Sequence, residues 1–460
     1  MDSTPFLRLP TKVLHHIVSY LCPILSTSPL DGSSDSIEEA IQRHAIQNLS
    51  LTCTTLQKLL EPYIFTVLQD FDERFYARAQ LDPNVFNAVK SLTLRCIAHP
   101  PDEYRRAHFL RQYPIVEREA AKYGINIQLN PGFKSDINTA KLGAALVAIT
   151  PNVQRLLFTV DCWEEKTDNS PLLKMFEALT PSSGLSNLRS LEIWCGDSRG
   201  LKCSNDAQAI LIGAAPHLQK LCLHSQNFND AVEYEIAMGA EKGFNSVEHA
   251  ASYLDRIRPG LANLRVLELR NCIMTNQDLY TNHLSNLVSL CPKLERFVYE
   301  ADDGFSFRPY GRQEISPSQV LDAIWPVKST LKRLAIVPST SFKVDSESFV
   351  KQSQLLKFTQ LRILMLDEKC FCKRYLGPQA QGRHWDLGLV EVLPPTAESI
   401  LVTDVEDKNL AAQDLEALRE QIEKFPALKE AGYAGQKVGS DEYWLCGQDL
   451  LAKGEEESTE

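Results

Sequence analysis

The chain has 460 residues, of which 44% are hydrophobic and 23% charged, as in folded globular proteins and unlike disordered ones. Its formal net charge of −11, with no dense run of Lys and Arg, disfavours nucleic acid and anionic membranes as partners. No apolar stretch reaches the roughly 20 residues of a spanning helix, and the N-terminus lacks a signal-peptide pattern. We therefore expect a cytoplasmic or nuclear protein.

The N-terminal segment contains two apolar helical patterns. Residues 9–21 have the sequence L-P-T-K-V-L-H-H-I-V-S-Y-L, with proline at a position suited to a first helical turn. Residues 45–65 form a second pattern, which includes L-S-L-T-C at 49–53 and P-Y-I-F at 62–65. This segment resembles the F-box family. It departs from the family pattern at Lys12 and Leu56, where an acidic and an aromatic residue are common.

The F-box resemblance implies a three-helix module over residues 1–70 that binds a Skp-type adaptor and, through it, a cullin. The positions that match the adaptor-binding residues of the family are Leu7, Leu9, Pro10, Val13, Leu14, Ile17, Leu49, Leu51 and Leu56. The alternative is a helical cap for the repeats that follow, since a solenoid must protect its ends. The serine-rich insertion at about 23–36 is predicted to be a flexible loop.

From residue 89 onward, a hexad of the form apolar-x-x-apolar-x-apolar recurs. Its copies begin at Val89, Val153, Leu188, Leu218, Leu264, Leu294, Leu331, Leu361, Ala397 and Leu428. From residue 153 the copies begin 30 to 46 residues apart; the longest interval carries an insertion around 233–256, and 124–129 is a weak additional copy. Between the hexads, apolar residues recur three and four apart, which predicts a repeat of helix, turn, short strand and loop.

Residues 264–272, L-R-V-L-E-L-R-N-C, match the consensus L-x-x-L-x-L-x-x-N/C, and most of 85–435 resembles the leucine-rich-repeat family. The other hexads lack Asn or Cys at the last consensus position, which favours irregular repeats. The resemblance implies an α/β solenoid over residues 71–440, with parallel strands on a concave face and helices on a convex face. Residues 441–460 are expected to form a C-terminal segment with an acidic tail.

Candidate substrate-binding residues follow from the alternation of side chains along a strand. The residues between and just after the apolar positions should lie on the concave face. On three consecutive predicted strands these include Glu192, Trp194, His224, Glu268 and Arg270. Exposed Trp and Arg dominate the energy of many interfaces, so we expect these five residues to bind a protein substrate. The alternative is that a later segment, such as 443–445, covers them and makes them part of the core.

Catalytic and metal-binding motifs are not found. Residues 196–200, G-D-S-R-G, resemble the nucleophile loop of some esterases, but no Asp-x-x-His segment lies near the C-terminus to complete a triad. The twelve cysteines show no paired CxxC spacing, so we expect no metal and no cofactor. The sequence predicts a non-catalytic substrate-recognition subunit of a Skp–cullin–F-box ubiquitin ligase. The alternative is a leucine-rich-repeat scaffold for protein interactions that never joins a ligase.

Overall fold

The structure is a computed structural model, and the chain divides into two compact units. The structure describes residues 12–13, 46, 48–52, 56, 60, 63–69, 73–94, 114–124, 143, 145–160, 184–195, 210–224, 246–272, 274, 278–301, 314–340, 342, 347–372, 388–405 and 408–433. The first unit comprises Met1–Gly196 with Cys203–Lys220, and the second comprises Asp197–Lys202 with Leu221–Glu460.

The first unit contains a parallel sheet whose strands follow the order of the sequence. The strands are β1 (Val67–Gln69), β2 (Ser91–Leu94), β3 (Arg155–Val160) and β4 (Ser190–Cys195). Each pairs in parallel with the next, so that Leu92 lies opposite Leu68 on one side and Leu156 on the other. Between β1 and β2 lie helix α1 (Glu73–Leu81) and a 3-10 helix (Pro83–Ala88), and another 3-10 helix (Gly184–Asn187) precedes β4.

Strand β1 is not predicted by the hexad pattern, and it lies within residues 1–70. The carbonyl of Thr66 accepts hydrogen bonds from the backbone N–H groups of Lys90 (2.7 Å) and Ser91 (3.0 Å), so the sheet begins directly after the P-Y-I-F motif. The described helical residues before β1 are 12–13, 46, 48–50, 56, 60 and 63–64. The rest of the predicted three-helix module, including the 23–36 insertion, lies outside the described residues.

The second unit contains the remaining described strands, again neighbours in sequence order. They are β5 (Lys220–His224, of which Lys220 belongs to the first unit), β6 (Val266–Cys272), β7 (Arg296–Ala301), β8 (Arg333–Val337), β9 (Ile363–Asp367), β10 (Ser399–Thr403) and β11 (Glu430–Tyr433). Pairing from β6 to β11 is parallel throughout. A register irregularity between Leu269 and Cys272 places Asn271 at a positive φ of 50°.

The helices of the second unit form a layer of their own. They are α2 (Ser246–Leu261), α3 (Asp278–Ser289), α4 (Pro317–Ala323), α5 (Gln352–Leu355), α6 (Gly388–Val392) and α7 (Lys408–Glu420). From α3 onward each helix packs against the next in the sequence. Helix α2 occupies the end of the interval that the sequence assigned to an insertion, so part of that insertion is the helix of a repeat. None of the described helices combines the length and apolar character needed to cross a membrane.

The core lies between the strands and the helices, and the hexad explains it. Its first, fourth and sixth residues are buried in repeat after repeat, as at Leu264, Leu267 and Leu269, each with no exposed surface. Burying one such side chain contributes about 1.5–3 kcal/mol, so the apolar side chains of the stacked hexads are the main source of stability. Every one of the ten hexads holds one of the strands β2 to β11, which confirms the predicted repeat of parallel strands and helices. The weak copy at 124–129 lies outside the described residues apart from Gly124.

Candidate functional site

The third and fifth residues of each hexad, and the residue just after the hexad, lie on the sheet face opposite the buried fourth and sixth residues. We call this the outer face. In the second unit its chemistry changes along the sheet. On β5, β6 and β7 the outer face carries the polar residues Cys222, His224, Glu268, Arg270, Arg296 and Glu300. On β8, β9 and β10 it carries the apolar residues Ala335, Val337, Ile363, Met365 and Leu401, with the polar residues Arg333, Asp367, Ser399 and Thr403 among them.

Glu268 is the centre of the polar region. It is only 1% exposed, and its carboxylate lies between two guanidinium groups. Arg270 Nε donates to Oε2 at 3.1 Å, and Arg296 Nη2 lies 3.1 Å from Oε1. Arg270 also lies 3.8 Å from the carboxylate of Glu300 on β7. A buried carboxylate is tolerated only with such counter-charges, so Glu268 and the two arginines form one electrostatic unit.

The two arginines differ in their surroundings. Burial lowers the pKa of Arg270, but the charges of Glu268, Cys222 and Glu300 outweigh burial, so its pKa lies above the ordinary value. Burial also lowers the pKa of Arg296, and there the like charges of Arg270 and Arg333 add to burial, so its pKa lies below the ordinary value despite Glu268. Both side chains keep some exposure, which leaves each with donors on the outer face.

Cys222 and His224 lie beside this charge cluster. The thiol of Cys222 is 3.1 Å from His224 Nε2 and 3.5 Å from Glu268 Oε2. A thiol next to an imidazole is the arrangement used by cysteine nucleophiles, but both side chains are buried, which denies a substrate access. A structural zinc site has four ligands, and Cys222 and His224 would supply only two of them.

The predicted substrate-binding residues are therefore divided between accessible and buried positions. In the first unit Trp194 is 40% exposed, and its indole N–H donates to Glu192 Oε1 at 2.7 Å. In the second unit Arg270 is partly exposed, whereas His224 and Glu268 are buried beneath it. The structure brings His224, Glu268 and Arg270 together on the adjacent strands β5 and β6. Trp194 presents exposed surface, and Glu192 holds its indole N–H. Arg270 presents a partly exposed guanidinium group that the buried Glu268 holds in place.

Among the predicted adaptor-binding positions, Val13 is 41% and Leu51 75% exposed. Leu49 is half-buried and Leu56 is buried. The remaining predicted positions lie outside the described residues: Leu7, Leu9, Pro10, Leu14 and Ile17. Two large apolar side chains are thus presented to solvent in the F-box-like segment.

A second polar cluster, which the sequence analysis missed, lies where β9 and β10 end. Asp367 Oδ1 accepts the backbone N–H of Lys369 at 2.8 Å, and the Lys369 ammonium lies 3.0 Å from Asp404 Oδ2. Asp367 is fully buried, and burial raises its pKa to about 7 against the opposing effects of the Lys369 backbone and charge. This carboxyl group therefore titrates near neutral pH.

The site predicted from the sequence also lacks Cys222 and Arg296, for different reasons. Arg296 also lies between apolar positions of its hexad, but it belongs to β7, which follows the three strands that supplied the predicted residues. Cys222 is at the fifth position, but a thiol in a strand is ordinarily a small buried apolar residue. No motif joins residues 222, 268 and 296, because strand pairing alone brings them together.

A comparison with protein-family models finds none that matches this chain. A search of curated proteins finds no match either.

Proposed function

We propose that this chain is the substrate-recognition subunit of a Skp–cullin–F-box ubiquitin ligase. The observation that carries the proposal is the order of the parts: an F-box-like segment is followed directly by repeats whose sheet presents a polar outer face. The exposure of Val13 and Leu51 supports a contact of the N-terminal segment with another protein, because large apolar side chains gain most from being covered.

In this proposal the chain performs no chemistry of its own. The N-terminal segment attaches it to a Skp-type adaptor, and the outer face holds the protein to be modified. Trp194 and Arg270 are the accessible side chains of the kinds that contribute most at interfaces. Glu268 fixes the guanidinium of Arg270 before binding, which lowers the entropy lost when a partner docks.

The test is recovery of a Skp-type adaptor with the full-length chain. We expect co-purification with the wild type and its loss in Leu51→Asp, because a carboxylate in a desolvated contact costs several kcal/mol. Leu81→Asp is the matched control. Leu81 is a leucine of the same unit at the end of α1, 80% exposed and outside the F-box-like segment. It should bind the adaptor as well as the wild type does.

Failure to recover the adaptor with the wild-type chain would contradict the ligase role and leave a protein-interaction scaffold. Equal recovery with Leu51→Asp and with Leu81→Asp would show that the exposed leucine of the F-box-like segment is not part of the contact. Thermal melts of both variants should match the wild type, since both leucines are largely exposed.

A further inference from the structure

The second residues of successive hexads form a column along one edge of the sheet in the second unit. The backbone shows this directly, because the carbonyl of each of these residues accepts the N–H groups of the second and third residues of the next hexad. Lys332 O, for example, accepts from Arg362 N at 2.9 Å and from Ile363 N at 3.1 Å. The column consists of Arg265, Glu295, Lys332, Arg362, Glu398 and Lys429.

The side chains of this column pair into two triads. In the first triad Glu295 lies between Arg265 at 3.8 Å and Lys332 at 3.2 Å. In the second triad Glu398 lies between Arg362, with which it forms a close ion pair, and Lys429 at 2.8 Å. Each triad is a carboxylate shared by two cations on the neighbouring strands.

The two triads are next to each other in the column, with the cation Lys332 of the first beside the cation Arg362 of the second. Lys332 and Arg362 are adjacent members of the column, and no carboxylate of the column separates them. Arg333, the next residue after Lys332, is exposed and has no acidic partner among the described residues. We call Lys332, Arg333 and Arg362 the cationic junction. It is the one place between Arg265 and Lys429 where the alternation of charge is broken.

Further positive charge lies on the segments that lead into β8 and β9. Trp325, eight residues before β8, carries the ammonium groups of Lys328 and Lys357 over its ring, at 3.8 and 4.7 Å from the ring centre. Lys357 belongs to the turn that leads to Arg362. In a chain with a net charge of −11, this edge of the sheet is locally basic.

We propose that the cationic junction binds an Asp or Glu side chain of a partner protein. The carboxylate would take the position between Lys332 and Arg362 that Glu295 and Glu398 occupy in the triads. Glu295 and Glu398 also limit the ligand, because a polyanion that continued along the column would meet a carboxylate on either side. One or two acidic side chains fit there, whereas a nucleic-acid backbone does not.

The neighbouring outer face defines the rest of the ligand. Arg333 is the third residue of its hexad and lies opposite Ile363 in the register of β8 and β9. Ile363 and Met365 are half-buried, so apolar surface remains accessible beside the guanidinium group. The partner segment therefore pairs an acidic residue with an adjacent aliphatic one. This inference rests on the proposed role of the repeats in holding a protein, and it specifies the chemistry of that protein.

The experiment is selection of a random 12-residue peptide library on the full-length chain, followed by affinity measurements on individual peptides. We expect the wild type to enrich peptides with Asp or Glu beside an aliphatic residue, with affinity that falls as salt rises from about 50 to about 300 mM. The junction variant Lys332→Gln/Arg333→Gln/Arg362→Gln should bind the enriched peptides about tenfold or more weakly.

The matched control removes three exposed cations outside the column: Arg258→Gln/Lys293→Gln/Lys424→Gln. It has the same net charge as the junction variant and should bind the enriched peptides as the wild type does. Both variants should have the same melting temperature as the wild type. If the junction variant does not fold, Arg333→Gln alone provides the test, because Arg333 is exposed and unpaired among the described residues.

Several results would overturn the inference. They are enrichment of peptides without acidic residues, equal weakening by the two triple variants, tighter binding of an oligonucleotide than of the peptides, and a phosphoserine peptide that binds more than tenfold better than its glutamate counterpart. Adaptor recovery is measured on the same preparations. Loss of the adaptor with intact peptide binding would contradict the ligase role alone, and the converse would contradict the junction alone.

Discussion

Glu268 is a buried carboxylate of the second unit, only 1% exposed. A buried carboxylate loses most of its hydration, and the attraction of Arg270 and Arg296 must offset that loss. The carboxylate also separates the like charges of the two arginines, and burial together with the charge of Arg270 lowers the pKa of Arg296. The three side chains come from β6 and β7, and they tie these two strands together on the outer face.

Replacing Glu268 by Gln should destabilise the protein by about 3–5 kcal/mol, because breaking a buried ion pair leaves charges without compensation. Gln has nearly the same volume, so lost packing contributes little. The measurement is the free energy of unfolding from urea denaturation. Glu300→Gln is the control, since Glu300 makes a longer contact of 3.8 Å and is partly exposed, and it should cost less than about 1 kcal/mol. Equal losses in the two variants would show that Glu268 is not the centre of the cluster.

Asp367 should make the stability of the fold depend on pH. Burial raises the pKa of its folded-state carboxyl group to about 7, above the unfolded value near 4. The protonated form is therefore favoured by folding, and this contribution is complete below about pH 4 and is lost as the pH rises through 7. The carboxyl group faces Lys369, Asp404 and Glu314, and the lysine limits the loss.

Asp367→Asn keeps an oxygen for the Lys369 N–H and cannot ionise, so it should stabilise the protein at pH 8 and much less at pH 5. The size should be on the order of 2–4 kcal/mol, since the pKa rises by about three units, each worth about 1.4 kcal/mol, and that rise already includes the effect of Lys369. The measurement is the urea midpoint of both proteins at the two pH values. Asp322→Asn, at an exposed carboxylate of α4, should show no such difference. A variant that is less stable than the wild type at pH 8 would contradict the raised pKa.

At the scale of the elements, the hexad predicted the strands well because apolar alternation and burial are the same property in a stacked repeat. Leu264, Leu267 and Leu269 are buried for that reason, and the prediction needed no knowledge of neighbouring strands. The hexad pattern does not predict strand β1, because its three residues are too few to show a period. It is a strand because Thr66 accepts hydrogen bonds from β2, which is a long-range cause.

The starts of helices carried a signal that the apolar pattern does not use. Ser316 precedes α4, and its hydroxyl accepts the N–H of Gln319 while the Gln319 side chain accepts the N–H of Ser316. Pro317 occupies the first helical position. This capping box is readable from S-P-S-Q alone, so the start of α4 was predictable. The contact of Glu268 with Arg296 was not, because it depends on the register between β6 and β7.

At the scale of the whole molecule, net charge hides how charge is arranged. A value of −11 argues against a general affinity for polyanions, but it says nothing about the cationic junction on the second unit. The junction arises because two triads of the form cation, carboxylate, cation follow one another in the repeat order. A repeat protein can therefore be acidic overall and still offer a local site for an acid.

Stacked repeats also predict where stability is lost first. In the second unit each described strand pairs only with its neighbours in the sheet, so a defect in the last described repeat should spread little. Ala431 lies on β11 opposite Ile400 of β10 and is buried, so Ala431→Asp places a carboxylate in an apolar contact. We expect the rate of hydrogen exchange to rise at least about tenfold at β10 and β11 while β6 and β7 keep their protection, because local unfolding of β10 and β11 leaves the interfaces of the inner strands intact.

The control is Glu430→Gln, at an exposed position of β11, which should change hydrogen exchange in neither region. Uniform loss of protection from β6 to β11 would instead mean that the second unit unfolds as a single cooperative block, and that its interfaces are stronger than its individual repeats.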